Sequence, residues 1–246
     1  MKGLNAPKMK SVLEWQKHAT RMVTSCSNDA SSWLLGQSML EELDPLMFDD
    51  SLEGGARLFS EGETARFIYA VRTGYVKLSA RVRDREMILQ VAGPESVLGL
   101  YAVLSTGMYE VSATSCTTTR LRAIETSAFL DQLRSRSDLH DRTLNTLCLG
   151  YRAVLRDACR LGLEDTAARR LGCLLVELGE EIGEHLESGK IRFPMVLTRE
   201  ELGSMISITR ETTTRLLCDF CERGWIEINH FMVTLNQPEN LCGEWS

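Results

Sequence analysis

Polar and apolar residues alternate strictly in one stretch of the chain, from Tyr75 to Arg83. The apolar set is Val76, Leu78, Ala80 and Val82, and the polar set is Tyr75, Lys77, Ser79, Arg81 and Arg83. A period of two is that of a strand with one buried face. Shorter runs of this kind fill the chain from Leu52 to about Glu125, with glycines at the turns between them. Many short strands at this spacing predict a small antiparallel barrel or sandwich.

The period becomes helical between Leu139 and Gly162. A stripe of apolar residues recurs there at alternating intervals of three and four: Leu144, Leu147, Tyr151, Val154, Ala158 and Leu161. A sustained spacing of this kind places one narrow apolar seam along a helix, which suits a partner helix in a coiled coil. The alternative is that the helix packs this seam against the protein's own barrel.

Helix caps mark the C-terminal part of the chain. Asp165-Thr166 predicts the start of a helix that runs from Ala167 to about Gly183. Thr198-Arg-Glu-Glu201 is a capping box that opens a helix to about Ile206, with a turn at Ser207-Ile208. Thr209 then caps a second helix, from Arg210 to Arg223, which Gly224 ends. Two short helices joined in this way predict a helix-turn-helix.

A hairpin is predicted after the second of these helices, with strands at Trp225–Ile228 and Met232–Leu235 joined at Asn229-His230. It would form the wing of the helix-turn-helix. The whole chain then divides into a partly ordered leader (1–32), a barrel domain (33–137), a long helix (138–163) and a winged helix-turn-helix domain (164–246). Apolar residues recur at helical intervals between Trp33 and Phe48, which predicts a helix that opens the barrel domain and stops near Asp44-Pro45. The predicted fold class is α+β.

The charge of the chain bears on which kind of DNA contact the second helix of the pair makes. The chain carries a formal net charge of −6, and non-specific affinity for nucleic acid comes mainly from basic charge. Arg210, Glu211 and Arg215 nevertheless share one face of that helix with Thr214. Arginine grips guanine with two hydrogen bonds and glutamate accepts from cytosine, so this pattern favours reading of base sequence over charge neutralisation. The alternative is an exposed helix with an ordinary ion pair from Glu211 to Arg215.

Other classes of function find no support in the composition. No apolar run is long enough to cross a bilayer and the N-terminus lacks a secretion signal, which predicts a cytoplasmic protein without membrane contact. The eight cysteines follow no disulfide-scaffold rhythm. No phosphate loop, acid–base pair or nucleophile with a partner marks an enzyme.

The sequence resembles the CRP/FNR family of bacterial transcription regulators from about Leu52 to Leu241. The motifs that carry the resemblance are Thr198-Arg-Glu-Glu-Leu-Gly, Thr209-Arg-Glu-Thr and Arg215-Leu-Leu, supported by Phe59-Ser-Glu-Gly-Glu63 and Gly74-Tyr-Val-Lys-Leu78. The resemblance implies a cyclic-nucleotide-binding-like β-barrel (a double-stranded β-helix), a dimerisation helix and a winged helix-turn-helix. It also implies a homodimer on palindromic double-stranded DNA, with half-sites about 34 Å apart, and contact with RNA polymerase.

The resemblance assigns roles to single residues. Arg210, Glu211 and Arg215 match the base-reading positions, and Thr214 stands where some members also contact a base. The expected phosphate contacts are Thr198, Arg199, Thr209 and Thr212. Two residues depart from the family pattern: Ser207 stands where the turn usually has glycine, and Thr213 fills a slot that is usually apolar.

The residues of the barrel argue against the effectors that the resemblance suggests. Members that bind cyclic AMP share a Gly-Glu-Leu segment and a later Arg-Ser pair, whereas this chain has Gly99-Leu100-Tyr101 and Val111-Ser112. A buried cyclic phosphate without its arginine leaves a charge uncompensated, which argues against cyclic AMP. These five residues are therefore a degenerate effector pocket, and a more apolar ligand lined by Tyr101, Met108 and Tyr109 is one alternative.

Cysteines argue against the iron–sulfur cluster of the FNR branch. Such a cluster needs four thiolates, and the leader supplies Cys26 alone, with Cys116 near the expected barrel position. A cluster shared between Cys26 and distant cysteines, or a haem on one of four histidines, stays an alternative. Cys218 and Cys221 are either small core fillers or a pair whose oxidation distorts DNA binding.

We therefore expect a homodimeric transcription regulator that reads a palindromic DNA site and does not respond to cyclic AMP. The alternative is a redox- or ligand-sensing module, using a thiol, a haem or a small apolar ligand, whose DNA binding is weak or vestigial.

Overall fold

The computed structural model describes residues 43–82, 85–163, 166–186 and 189–242. The predicted leader, and the helix predicted from Trp33 up to residue 42, lie outside the described residues. Asp44–Leu46 form a 3-10 turn with Pro45 near its start, and Phe48 already belongs to a strand. The predicted stop near Asp44-Pro45 is therefore confirmed, since the chain is no longer helical at Phe48.

Short strands make up the N-terminal half, as the glycine spacing predicts. They are β1 (Phe48–Leu52), β2 (Arg57–Phe59), β3 (Phe67–Thr73), β4 (Val76–Val82), β5 (Arg85–Ala92), β6 (Val97–Leu98), β7 (Ser112–Ser115) and β8 (Thr119–Glu125), with helix α1 (Leu100–Leu104) between β6 and β7. Two antiparallel four-stranded sheets, in the orders β1-β8-β3-β6 and β2-β7-β4-β5, enclose one apolar core. The barrel or sandwich prediction is confirmed.

Helices dominate the second half. They are α2 (Thr126–Ser135), α3 (Ser137–Leu163), α4 (Ala167–Ile182), α5 (Arg199–Met205), α6 (Arg210–Glu222) and α7 (Pro238–Cys242). A third antiparallel sheet, in the order β11-β12-β10-β9, consists of β9 (Glu184–His185), β10 (Ile191–Pro194), β11 (Ile226–Asn229) and β12 (Met232–Leu235). The predicted wing is the β11–β12 hairpin, and α4 begins at the predicted cap Thr166.

The apolar seam of α3 faces solvent in the single chain. Leu139 and Thr143, near the start of the helix, are buried against the barrel. Leu144, Tyr151 and Val154 are instead 57 %, 64 % and 64 % exposed. These three residues therefore do not pack against the protein's own barrel, and that alternative is wrong for them. Leu147 is half-buried; the side chains of Ala158 and Leu161 lie outside the description, although both residues are helical.

The outer face of β4 and β5 is covered by the winged domain. In the register, Ile88 lies opposite Ser79 and Val91 opposite Lys77, so all four residues share the face that points away from the barrel interior. Ile88 and Val91 belong to the same apolar core as α4 and the helix-turn-helix. Ser79 is only 1 % exposed and its hydroxyl donates to Glu86 at 2.5 Å. The alternating strand is confirmed, but its polar face is an inter-domain contact rather than a solvated surface.

Candidate nucleic-acid interface

Helices α5 and α6 each begin with a side chain that caps the helix. The Thr198 hydroxyl accepts a hydrogen bond from the Glu201 backbone N–H at 3.2 Å, and the Glu201 carboxylate accepts one from the Thr198 N–H at 2.8 Å. The Thr209 hydroxyl accepts from the Thr212 N–H at 3.2 Å. These bonds satisfy backbone donors that a helix leaves free in its first turn. The predicted capping box and the second cap are confirmed.

The turn between α5 and α6 brings the two backbones into close contact. A Cβ on Gly203 would lie 2.7 Å from the Ile208 carbonyl oxygen and 2.8 Å from the Thr213 hydroxyl oxygen, so glycine is needed there. Ser207 has a φ of 59°, in the left-handed region that side chains disfavour. Thr213 is fully buried, and its hydroxyl donates to the Thr209 carbonyl at 3.0 Å. Of the two departures from the family pattern, Thr213 has its polar group satisfied and Ser207 carries backbone strain.

The side chains predicted to read bases lie on the exposed side of α6. Arg210, Glu211 and Arg215 are exposed, whereas Leu217 and Phe220 on the opposite side are buried. The burial of that opposite side fixes which face of the helix is free. Three long polar side chains are therefore presented together, close to the capped end of the helix.

Two other residues of α6 are less exposed than these three side chains. Thr214 is half-buried, and its hydroxyl donates to the Arg210 carbonyl at 2.9 Å. A hydroxyl oxygen that donates once still has lone pairs with which it can accept a hydrogen bond from a base. Leu216, which the sequence places among the buried residues, is only half-buried and packs at the edge of the core.

The Glu211 carboxylate is directed back to the start of its own helix. Its pKa is held below its usual range, first by the hydrogen bond from its own backbone N–H and then by one from the Thr209 hydroxyl, with Arg210 adding a favourable charge. Among the described residues no ion pair joins Glu211 to Arg215. The ion pair that the alternative interpretation invokes is therefore not formed in this structure. The carboxylate is ionised at neutral pH, which is the form that accepts a hydrogen bond from cytosine.

The residues expected to contact phosphates cluster at the starts of α5 and α6. Thr198, Arg199 and Thr209 are exposed, and Thr212 is half-buried. The hydroxyl oxygens of Thr209 and Thr212 lie 3.1 Å apart. Hydroxyls and a guanidinium at these positions are the groups that bind backbone phosphates in protein–DNA complexes.

A contact that the sequence does not reveal holds α5 against the barrel. Lys77, on the outer face of β4, forms an ion pair with Glu201, the same residue that closes the capping box of α5. Their side chains are only 21 % and 22 % exposed. Cys116 lies beside this pair, and burial, as the main cause, raises the pKa of its thiol to about 11. The partners are 124 residues apart, so no local pattern links them.

The tip of the wing is fixed next to the segment that precedes α5. His230 has a φ of 54°, and Phe231 beside it is 78 % exposed. The Phe231 carbonyl accepts a hydrogen bond from the Met195 N–H at 2.7 Å. The tip of the hairpin therefore lies beside Met195, which precedes the cap residue Thr198 by three positions in the sequence.

The first three residues of the predicted effector pocket occupy different environments. Gly99 has a φ of 85° and begins α1, while Leu100 is 1 % exposed within the barrel core. Tyr101 is 45 % exposed and reaches the long helix: a Cβ on Gly150 would lie 1.4 Å from the Tyr101 hydroxyl oxygen. The side chain of Leu100 is apolar and buried in the core, so this position supplies no carboxylate to a ligand.

The remaining pocket candidates also have structural partners. Val111 packs at the edge of the barrel core, and the Ser112 hydroxyl accepts from the Glu61 N–H at 3.0 Å. Tyr109 is 4 % exposed, and its ring stacks on Phe59 with 3.8 Å between centroids. Of the residues proposed to line an apolar ligand, Tyr109 is therefore part of the core, whereas Met108 is 50 % exposed.

Metal and membrane sites find no support in the described part of the chain. Residues 43–82, 85–163, 166–186 and 189–242 contain no group of three or more His, Cys, Asp or Glu placed to hold a metal ion. No helix within these ranges is both long and apolar enough to cross a membrane.

Known proteins share both halves of this architecture. Residues 50–136 match the family model of the cyclic nucleotide-binding domain, and residues 169–243 match that of the Crp-like helix-turn-helix domain. A "CRP-like cAMP-activated global transcriptional regulator" of Mycobacterium tuberculosis is 28 % identical over 206 residues, which cover 83 % of this chain and 89 % of the relative. The "transcriptional activator protein FnrA" of Stutzerimonas stutzeri is 27 % identical over 202 residues, covering 78 % of each chain.

Solved structures of other proteins share this fold. FixK2 from Bradyrhizobium japonicum superposes with a TM-score of 0.71 over 79 % of this chain and 95 % of FixK2, at 20 % sequence identity. The relatives are regulators of transcription rather than enzymes. Together with the barrel, the long helix and the capped helix-turn-helix, these matches establish that the chain belongs to the CRP/FNR family of transcription regulators, with a DNA-binding helix-turn-helix.

Proposed function

We propose that this protein is a homodimeric regulator that reads a palindromic DNA site through α6. The observation that carries the proposal is the exposure of Arg210, Glu211 and Arg215 on one side of a helix whose other side is buried. Each arginine can donate two hydrogen bonds to a guanine, and the carboxylate can accept one from a cytosine amino group. A carboxylate repels phosphates everywhere else, so it adds discrimination rather than affinity.

The exposed seam of α3 supports the dimer in this proposal. Leu144, Tyr151 and Val154 expose apolar surface in heptad register, which is the pattern that a second copy of the same helix covers. A two-fold axis along paired α3 helices gives two reading helices related by the same symmetry. The DNA site is then a palindrome whose half-sites lie about 34 Å apart.

Backbone contacts position the reading helix. In this proposal Thr198, Arg199, Thr209 and Thr212 bind phosphates on either side of the base contacts, and Thr214 adds a base contact through its hydroxyl. The capped start of α6 offers backbone N–H groups and the positive end of a 13-residue helix to one phosphate. These contacts set the register on the duplex and carry no base specificity themselves.

The same proposal places the protein in the cytoplasm, in contact with RNA polymerase, and independent of cyclic AMP. Leu100 and Val111 are apolar where cyclic-nucleotide recognition needs a carboxylate and a guanidinium, and Leu100 is buried. A cyclic phosphate buried next to Val111 would lack the charge-assisted hydrogen bonds that offset its desolvation.

The test begins with selection of binding sites from a random duplex library, with and without cyclic AMP. Binding to the selected palindrome is then compared with a scrambled duplex over a series of salt concentrations. A regulator keeps a specificity ratio of about 10³ or more, and cyclic AMP leaves it unchanged. A protein with vestigial DNA binding selects no sequence and binds the palindrome and the scrambled duplex equally well.

Two substitutions in α6 test the residue assignments. Glu211→Ala should relax base preference at one position of each half-site, and Arg215→Ala should weaken binding by about 1–3 kcal/mol per lost contact. Glu222→Ala is the matched control, because Glu222 is an exposed carboxylate at the other end of the same helix. The assignments fail if Glu211→Ala and Arg215→Ala bind every duplex as the parent does.

A further inference from the structure

Helix α6 carries two thiols that the reading of bases does not use. Cys218 and Cys221 are both exposed, whereas Cys116, Cys173 and Cys242 are partly buried. The two exposed residues therefore do not serve as fillers of the core, which was one interpretation of the sequence. Exposed cysteines one helical turn apart are instead accessible to oxidants and close enough to react with each other.

Position on the helix gives the two thiols different surroundings. Cys218 follows Arg215 by three residues and Glu211 by seven, so it continues the face that carries the base-reading side chains. Cys221 lies one turn further on, where its sulfur meets the backbone of Ile228 in β11. One thiol thus points to the side where DNA is expected, and the other borders the scaffold of the wing.

We propose that Cys218 is a site of reversible oxidation by peroxide, with Cys221 as the thiol that resolves it, and that the resulting disulfide weakens DNA binding. The effect on DNA rests on the proposed function, whereas the oxidation chemistry does not. The chemical class of the modifying reagent is a hydroperoxide.

Oxidation proceeds in two steps. The Cys218 thiolate attacks one peroxide oxygen, the O–O bond breaks, and the products are a sulfenic acid on Cys218 and one molecule of water or alcohol after protonation. The Cys221 sulfur then attacks the Cys218 sulfur, the S–O bond breaks, and the hydroxyl leaves as water with the Cys221 proton. The cysteine pair loses two electrons and the peroxide gains them. A small dithiol reverses the change by thiol–disulfide exchange.

The order of the two cysteines follows from their environments. Burial, followed by the nearby Cys218, raises the pKa of Cys221 above its usual value. Its thiol is therefore less ionised, and the thiolate is the form that attacks peroxide. Cys218 is exposed and continues the face of α6 that carries Arg215, where peroxide can reach it from solvent.

A disulfide between these residues must distort α6. Residues one turn apart in a helix have Cβ atoms about 5–6 Å apart, whereas a disulfide needs about 3.8 Å between its Cβ atoms. The turn from Cys218 to Cys221 therefore has to tighten or unwind. Arg215 lies in the adjacent turn, so the strain falls on the reading face. A strained disulfide is also more readily reduced, which makes the change reversible.

Peptide mapping tests the chemistry without any reference to DNA. Trypsin cleaves after Arg215 and Arg223, so both cysteines fall in one peptide, 216–223. After treatment of the full-length protein with hydrogen peroxide, this peptide should be lighter by two hydrogen atoms and should return to its original mass after dithiothreitol. In Cys221→Ser the sulfenic acid has no partner, so dimedone should label Cys218. In Cys218→Ser, dimedone should leave Cys221 unlabelled.

DNA binding tests the consequence. Binding of the reduced parent to its selected site tests the proposed function, and its absence would reject that function without touching the oxidation chemistry. The oxidised parent should bind at least about tenfold more weakly, with recovery after dithiothreitol. Cys148→Ser, which removes an exposed thiol on α3, is the control and should behave as the parent does.

Two results would overturn the proposal. The first is that peptide 216–223 keeps its original mass after peroxide treatment, or that dimedone labels Cys221 and not Cys218. The second is a disulfide that forms in full while affinity for DNA stays the same.

Discussion

Within the helix-turn-helix, Ser207 has a backbone conformation that residues with a side chain disfavour. Its φ of 59° lies in the left-handed region, which costs a residue with a Cβ about 1–2 kcal/mol. Glycine avoids this cost but loses more freedom on folding, about 0.5–1 kcal/mol. We therefore expect Ser207→Gly to raise the free energy of unfolding by about 0.5–1 kcal/mol.

Chemical denaturation of the parent and two variants measures this effect. Ser204→Gly is the matched control, because Ser204 lies inside α5 with a helical backbone. The same substitution there should lower stability, since glycine disfavours a helix interior by about 0.8–1.0 kcal/mol relative to alanine. If both substitutions lowered stability equally, the left-handed conformation of Ser207 would not be the source of strain.

At the scale of elements, local signals predict the DNA-binding module well. Thr198 and Thr209 satisfy backbone donors only three residues away, so the caps of α5 and α6 are readable directly from the sequence. The role of the polar face of β4 is not readable in this way. Lys77 and Ser79 look like solvent-facing residues of an alternating strand, and only the folded chain brings α5 onto them.

The ion pair between Lys77 and Glu201 makes this contact dependent on pH. Burial raises the pKa of Glu201, but hydrogen bonds from Lys77 and Thr198 outweigh it, and the net pKa lies below its usual value. A carboxyl with a depressed pKa in the folded state stabilises the fold above its unfolded pKa, near about 4.3. That contribution disappears as the pH falls through the lower, folded value.

Lys77→Met should therefore lower the free energy of unfolding at pH 7 by about 1.5–3 kcal/mol, the range for hydrogen bonds to charged groups. The difference from the parent should shrink in acid, below a pH of about 4. Urea denaturation at neutral and acid pH measures both values. Lys190→Met, at an exposed lysine, is the control. A difference that is the same at both pH values would mean that the substitution disturbs packing around β4 and does not act through the charge of Glu201.

At the scale of the whole molecule, α3 connects the barrel to the domain that contains the helix-turn-helix. Its buried start packs against the barrel through Leu139, and Tyr101 from α1 lies against Gly150 further along the same helix. The neighbouring exposed seam is free for a second chain. A change in the barrel that moves Tyr101 would therefore act on the helix that, in our proposal, sets the distance between the two reading helices.

Charged substitutions in the seam of α3 test how much dimerisation adds to DNA affinity beyond the contacts of each reading helix. Tyr151 and Val154 are each 64 % exposed in the single chain, so glutamate at both positions leaves the protomer folded but places like charges opposite each other in a dimer. The double variant Tyr151→Glu, Val154→Glu should have about half the parent's mass by light scattering and an unchanged circular dichroism spectrum. Asn145→Glu, at an exposed polar position of α3, should stay dimeric.

DNA affinity of the same variants gives the decisive comparison. Two linked half-site contacts exceed the affinity of one by about 10²–10⁴-fold, because the second contact is intramolecular. The monomeric variant should lose a factor of that size on the full palindrome. On a duplex with one half-site it should bind as the parent does, since Arg210, Glu211 and Arg215 remain in place. A monomer with full affinity for the palindrome would show that α6 reads DNA without a partner, and that the seam serves another contact.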